Sequence, residues 1–266
     1  MSHYSVAVFT KPDGKSLREL LAPYDENLEV ESYIYKTRDD IIQEGLEYKD
    51  DIKAGKRKLS EYNKDIYNAK DTDVLFKAVC EYHEYEPDED GNVWSTYNPN
   101  SKWDWYSIGG RFPGKLKSKN GQHGEGSAFH SNPMIDGEFD SARVGDIDFS
   151  MDMDIYNEAI RFWEVVVEKQ PLRDDENPDD FFTIYKDGYY EEYYRDKKTY
   201  AKIRASVTTY AVITVDGEWH EKGEMLYFGM STETADESLD WDLHYKERFI
   251  DTADPDWTLT IVDCHI

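Results

Sequence analysis

Both ends of this chain are patterned as β-strands, and that constrains the fold more than anything between them. Tyr4–Phe9 and Thr258–Val262 are strand-length runs rich in β-branched and aromatic residues. Apolar strands at opposite ends of a chain bury themselves most simply in one sheet, as neighbours at its centre. That pairing would bring His3, Asp263 and His265 together. A further pair of strand-like runs, Val207–Val215 and Glu218–Phe228, is joined by Asp216-Gly217. Asp-Gly between two apolar runs is a strong hairpin signal, because the turn needs residues that tolerate positive φ.

Helical periods fill the rest. Leu17, Leu20 and Leu21 fit a short helix closed near Pro23. From Thr37 to Glu86 the chain is helical and charged, with Ile41, Ile42, Leu46 and Ile52 sharing one face. Asp73 is the expected N-cap for Val74, Leu75, Ala78, Val79 and Tyr82, and Lys53–Lys64 reads as a solvated helix or connector. Ile155, Ala159, Phe162, Trp163, Val166 and Val167 make an amphipathic helix ended by Pro171, followed by an acidic connector, Arg173–Asp180. Leu239, Leu243, Tyr245, Phe249 and Ile250 suggest a last helix. Gly114–Glu138, rich in Gly, Ser, His and Asn, reads as a long loop. The expected fold is α+β: an antiparallel or mixed sheet with helices packed on one face. The chain reads as a single domain, residues 1–266, with a helical insertion at about 37–86.

Charge narrows the function classes. Lys and Arg number 31 against 57 Asp and Glu, a net charge of -26. Such a field repels phosphate backbones and anionic lipid, so direct nucleic-acid binding and membrane attachment are not expected. It attracts basic surfaces, including those built to hold nucleic acid. Apolar residues are 39% of the chain, enough to fold it despite that charge. Cys80 and Cys264 sit in apolar stretches with no Cys-x-x-Cys spacing, which predicts two unpaired thiols in a reducing compartment. The opening Met1-Ser-His-Tyr-Ser-Val has no basic region and no 18-residue apolar run exists, so a cytoplasmic protein is expected.

The densest segment is Trp103-Asp104-Trp105-Tyr106-Ser107-Ile108-Gly109-Gly110-Arg111. On a strand, Trp103 and Trp105 would face the same way. Gly109 and Gly110 allow close backbone approach, and Arg111 could clamp a carboxylate or phosphate with its planar fork. The plainer alternative is an aromatic cluster with Arg111 paired to Asp104 or another acid. Together with His220, Asp263 and His265, the residues Trp103, Asp104, Trp105, Tyr106, Gly109, Gly110 and Arg111 form the candidate ligand-binding set. The segment lacks phosphate-loop spacing, and no Gly-x-Ser-x-Gly elbow is present. Cys264 beside His265 is not a nucleophile pair by adjacency. Glu221 and Glu224 flanking Lys222 could act as acid and base, though a charged hairpin end is the ordinary explanation. Asp146, Asp148, Asp152 and Asp154 alternate with other residues and could hold a cation, or could serve as a solvated edge and helix cap. His3, His220 and His265 sit at strand ends without metal-site spacing. No metal, cofactor or catalytic residue is assigned.

Several pieces of this chain resemble a group of uncharacterised phage and mobile-element proteins. They are Met1-Ser-His-x-x-Val, Leu21-Ala-Pro-Tyr-Asp-Glu-Asn27, Lys102-Trp-Asp-Trp-Tyr-Ser-Ile-Gly-Gly-Arg111, Gly217-Glu-Trp-His-Glu-Lys-Gly-Glu-Met225 and the ending Thr260-Ile-Val-Asp-Cys-His265. The chain departs from that pattern at Phe112, where a tryptophan follows the arginine, and at Leu226-Tyr-Phe-Gly, where Gly-Trp-Trp-Gly or Gly-Trp-Phe-Gly is usual. The resemblance implies a phage setting and no particular chemistry. Joined to the charge, it leads to the expected function: an acidic phage-encoded inhibitor of a host defence nuclease or CRISPR effector. It would occupy a basic nucleic-acid-binding surface of that host protein. The alternative is a binding protein or enzyme for a small nucleotide or phosphate-containing ligand, built on Trp103–Arg111. A structural or regulatory mobile-element protein is the third reading.

Overall fold

The computed structural model describes residues 2–119, 138–226 and 230–266. The strands are β1 (His3–Thr10), β2 (Tyr33–Lys36), β3 (Val93–Ser95), β4 (Trp105–Ile108), β5 (Leu116–Lys117), β6 (Glu138–Phe139), β7 (Ser141–Arg143), β8 (Ala211–Ile213), β9 (Trp219–Glu221) and β10 (Thr258–His265). The helices are α1 (Leu17–Leu21), α2 (Arg38–Lys53), α3 (Lys64–Asn68), α4 (Thr72–His83), α5 (Met153–Val166), α6 (Tyr189–Tyr194), α7 (Lys197–Arg204) and α8 (Ala235–Tyr245). They fall into two compact units, Met1–Glu26 with Asn100–Ile266, and Asn27–Pro99.

The first unit is an α+β fold around a mixed sheet ordered β4-β10-β1-β8-β9, with β7 also pairing β10. The terminal strands are its central pair, antiparallel from His3 opposite His265 to Thr10 opposite Thr258. β8 runs parallel to β1, and β9 returns antiparallel to β8, the expected hairpin. Gly217 takes φ +92° in that turn, and its N–H donates to the Thr214 carbonyl at 2.9 Å. The part of the hairpin run at residues 227–229 lies outside the described residues, as does most of the loop read at 114–138.

Alternation along the central strands sends two sets of side chains to opposite faces. Ala7, Phe9, Leu259, Ile261 and Val212 pack with Trp241, Tyr245 and Ile250 on one face. Tyr4, Val6, Val8, Val262, Cys264, Ala211 and Ile213 pack with Leu20, Leu21 and Trp103 on the other. A strand buried on both sides reads as a continuous apolar run, which is why β1 and β10 stood out in the sequence. Each large aliphatic side chain so buried contributes about 1.5–3 kcal/mol. α8 covers the first face and the short α1 the second.

α8 begins at a capping box in which Thr234 and Glu237 satisfy each other's backbone N–H. Its buried positions are Trp241 and Tyr245, one turn apart, and a π turn at Lys246–Ile250 then resets the phase so that Ile250 faces inward. The sequence pattern named Leu239 and Leu243 but missed Trp241. Both aromatic tips are satisfied: Trp241 Nε1 donates to the Thr209 carbonyl at 2.9 Å, and the Tyr245 hydroxyl meets Thr209 Oγ1 at 2.7 Å. A satellite cluster joins α5, α6 and α7 through Trp163, Tyr190, Tyr200 and Ala201.

The second unit holds α2, α3, α4 and the antiparallel ribbon β2-β3. Two expectations are corrected here. The N-cap of α4 is Asp71, which accepts the Val74 N–H at 2.9 Å; Asp73 lies inside the first turn and pairs with Arg38 at 2.6 Å. The buried face of α2 runs through Ile41 and Gly45, while Leu46 is exposed. A Cβ on Gly45 would sit 2.7 Å from Leu75 Cδ1 and 2.8 Å from Val79 Cγ2, so the glycine is what lets α2 and α4 approach. Cys80 here and Cys264 in the sheet are both buried and unpaired. Among the described residues no helix is long and apolar enough to cross a membrane.

Candidate functional site

One face of the central strands changes character along its length. Continuing the alternation from Phe9 and Ala7 gives Ser5 and His3; continuing from Leu259 and Ile261 gives Asp263 and His265. The register places His3 opposite His265 and Ser5 opposite Asp263. On the other flank of β10, Trp105 lies opposite His265 and Ser107 opposite Asp263. Three strands therefore carry two cross-strand rows at one end of the sheet. One is Trp105, His265 and His3; the other is Ser107, Asp263 and Ser5.

The side chains are locked. His3 Nδ1 lies 2.9 Å from Asp263 Oδ1, and His265 Nδ1 lies 2.6 Å from Asp104 Oδ1. A carboxylate on Nδ1 selects the Nδ1–H tautomer and leaves Nε2 as the acceptor. The two imidazoles meet edge to face with centroids 4.8 Å apart. Trp105 stacks on His265 at 5.1 Å and meets His3 edge-on at 5.3 Å. His265 and Asp263 are buried, while Trp105 is 45% exposed. The arrangement can accept a hydrogen-bond donor at each imidazole and present an indole face beside them.

The tandem glycines serve this site. Gly109 and Gly110 take φ of +70° and +52°. A Cβ on Gly110 would lie 2.4 Å from Asp263 Cβ, and one on Gly109 would lie 2.2 Å from Asp140 Oδ2. The chain thus passes directly over two buried carboxylates, and both accept from its backbone. Asp263 Oδ2 takes the Arg111 N–H at 3.0 Å, and Asp140 Oδ1 takes the Gly114 N–H at 2.8 Å. Asp140 was not singled out in the sequence; a lone Asp in a Phe-Asp-Ser context carries no signal.

The structure separates several residues that the sequence grouped. Trp103 and Trp105 do not face the same way. Trp103 precedes β4, bridges to Asp25 and takes its own place in the second face, with Nε1 donating to the Leu21 carbonyl at 3.2 Å. Tyr106 points to that same face and meets Trp103 edge-on at 5.1 Å. His220 is opposite Val212, which is opposite Ala7, which is opposite Ile261. It belongs to the apolar middle of the sheet, beside Phe249 and Glu218, and not to the site. Asp104 holds His265 rather than Arg111; Arg111 contributes its backbone N–H, and the residue is exposed.

Other candidate chemistry is absorbed locally. Asp152 caps α5 by accepting the Asp154 and Ile155 N–H groups and also binds Lys117; Asp148 accepts the Ser150 N–H. Glu221 accepts from Lys102 Nζ and Trp219 Nε1, and Lys222 pairs with Asp242 at 2.7 Å. Burial pushes the Asp242 carboxyl up. The Cys264 side chain lies on the face opposite His265, and burial pushes its thiol well up, the reverse of what a nucleophile needs. Among the described residues no group of three or more His, Cys, Asp or Glu is placed to hold a metal ion. No family model matches the chain, and neither does a curated protein or a solved structure.

Proposed function

We propose that this chain is a binding protein for a small nucleotide or another phosphate-bearing ligand, with its site at the His3/His265 end of the central strand pair. The observation that carries this reading is the pair of imidazoles, each held by its own carboxylate, beside a half-exposed tryptophan. Burying Asp263 and two histidines costs desolvation that apolar residues would avoid. The same strands place apolar residues on the same face one step further in, so packing alone gives no reason for the change. Trp105 offers a stacking surface for a planar ring. The exposed Arg111 guanidinium is the donor for phosphate oxygens, and the two Nε2 acceptors are the groups for an N–H or O–H of the base or sugar. Calorimetry against a panel of mono-, di- and cyclic nucleotides tests the reading. A saturable ligand whose affinity falls roughly tenfold or more in W105A and in H265Q supports it. An empty panel, or a ligand indifferent to both changes, overturns it.

A second reading rests on the net charge of -26 and on the resemblance to phage proteins. The chain would be a phage-encoded acidic inhibitor in the host cytoplasm, covering the basic nucleic-acid groove of a defence nuclease or CRISPR effector. Several carboxylates are engaged within the fold, which weighs against a free acidic face. Asp40 caps α2, Asp152 caps α5, Glu176 binds Arg161 and Asp242 is held by Lys222. Binding to a basic nuclease that weakens steeply with salt and survives R111A favours this second reading.

A further inference from the structure

We propose that a cavity in the helical layer is a second, independent binding site, for a small organic anion with an aromatic or apolar body. The cavity is about 850 Å³ and lies among α5, α7 and a 3-10 turn at Pro178–Phe181. That volume falls within the usual range for small-molecule sites, roughly 300–1,000 Å³. It shares no residue with the His3/His265 site.

Its apolar surface comes from Ile155, Phe162, Phe181 and Tyr200. The Phe162 and Phe181 rings are near-parallel, 20° apart, with centroids at 6.4 Å. Its frame is an ion pair. Arg161 Nε and Nη2 reach Glu176 Oε1 and Oε2 at 2.6 and 2.8 Å, and Nη2 also donates to the Pro171 carbonyl at 2.9 Å. This bidentate contact fixes the connector against α5 and pulls the Glu176 carboxyl down to about 2. The two charges therefore cancel at any ordinary pH, and Arg161 is wall rather than ligand group.

Two other guanidiniums line the same cavity, Arg173 and Arg204. Arg204 sits in the last turn of α7, is exposed, and has no ion pair among the described residues. Arg173 Nε is 3.9 Å from Glu176 Oε1, an oxygen that already accepts from Arg161. In a chain with 57 acidic residues and 31 basic ones, an arginine has abundant carboxylates to choose from. Arg204 has no carboxylate partner among the described residues, and the one nearest Arg173, Glu176 Oε1 at 3.9 Å, is already taken by Arg161, so both guanidiniums can turn to an anion in the aromatic-floored cavity. Glu158 and Asp180 also line the cavity and bias it against polyphosphates, which leaves a single carboxylate or a single phosphate monoester on a planar body.

The probe is 8-anilinonaphthalene-1-sulfonate, an aromatic anion, compared with its uncharged analogue N-phenyl-1-naphthylamine. One sulfonate probe should bind per chain, and the double variant R173Q/R204Q should weaken it about tenfold or more. W105A should leave it unchanged, which keeps this test separate from that of the first site. Circular dichroism confirms that the variant is folded. Displacement by indole-3-acetate or by phenyl phosphate then tells a carboxylate from a phosphate ligand. Equal affinity for the uncharged probe, binding indifferent to the double variant, or displacement by neither competitor overturns the proposal. The first of these outcomes would place the dye on the exposed Phe182 and Ile184 instead.

Discussion

His3 and His265 lie directly opposite each other across the central antiparallel pair, 4.8 Å apart, and each gives its Nδ1 to a different carboxylate. Neither contact is local: 260 residues separate His3 from Asp263, and 161 separate Asp104 from His265. The site therefore exists only once the two termini have paired, and its integrity reports on that pairing.

Asp263 holds the His3 ring with one oxygen and the Arg111 N–H with the other. Asp263→Ala removes both acceptors at once and leaves the buried His3 Nδ1–H and the Arg111 N–H without them. Leaving a buried polar group unpaired costs about 1–3 kcal/mol. Urea denaturation of D263A should give a loss of that size or more; an unchanged midpoint contradicts the assigned contacts.

Gly110 and Gly55 both take positive φ, at +52° and +73°, but their surroundings differ. A Cβ on Gly110 meets Asp263 Cβ and Ser107 Oγ within 2.5 Å, whereas one on Gly55 meets nothing within 4 Å. Both alanine variants carry the backbone cost of a left-handed residue, about 1–2 kcal/mol. Thermal melts should show G110A destabilised well beyond G55A. Equal effects would mean that the close approach over Asp263 is not real.

Arg161 lowers the Glu176 carboxyl from its ordinary value of 4.5 to about 2. A depressed acid contributes stability that is present above its unfolded pKa and lost as pH falls through its folded one. Between about pH 4.5 and pH 2 the wild type should lose stability more steeply than E176Q, which has no proton to take up there. Parallel acid titrations of the two proteins contradict the ion pair.

Much of the first unit was legible because its strands are buried on both faces and so advertise themselves. The terminal strands, the Asp-Gly hairpin and the convergence of His3, Asp263 and His265 followed from that. What alternation cannot give is depth along a strand, which depends on partner registers set far away in the chain. His220 has the same local look as His265, yet its register puts it beside the apolar Val212–Ala7–Ile261 row. Trp103 and Trp105 have strand spacing, but the strand begins after Trp103, whose N–H and carbonyl bond to Tyr24 and Glu26 instead. The helices α6 and α7 are short and rich in tyrosine and lysine, so the buried face of α7 at Tyr200, Ala201 and Ile203 is too brief to announce a period. Asp140 and Gly45 matter through close contacts with distant segments, which no local pattern announces.

Histidine side-chain NMR during a nucleotide titration tests the central claim most directly. The account predicts that the tightest-binding nucleotide of the panel shifts the His3 and His265 imidazole signals together and quenches Trp105. His220, beside Phe249, and His83, in the second unit, should stay in place. Shifts confined to His220, or binding with the His3 and His265 signals unmoved, would contradict it.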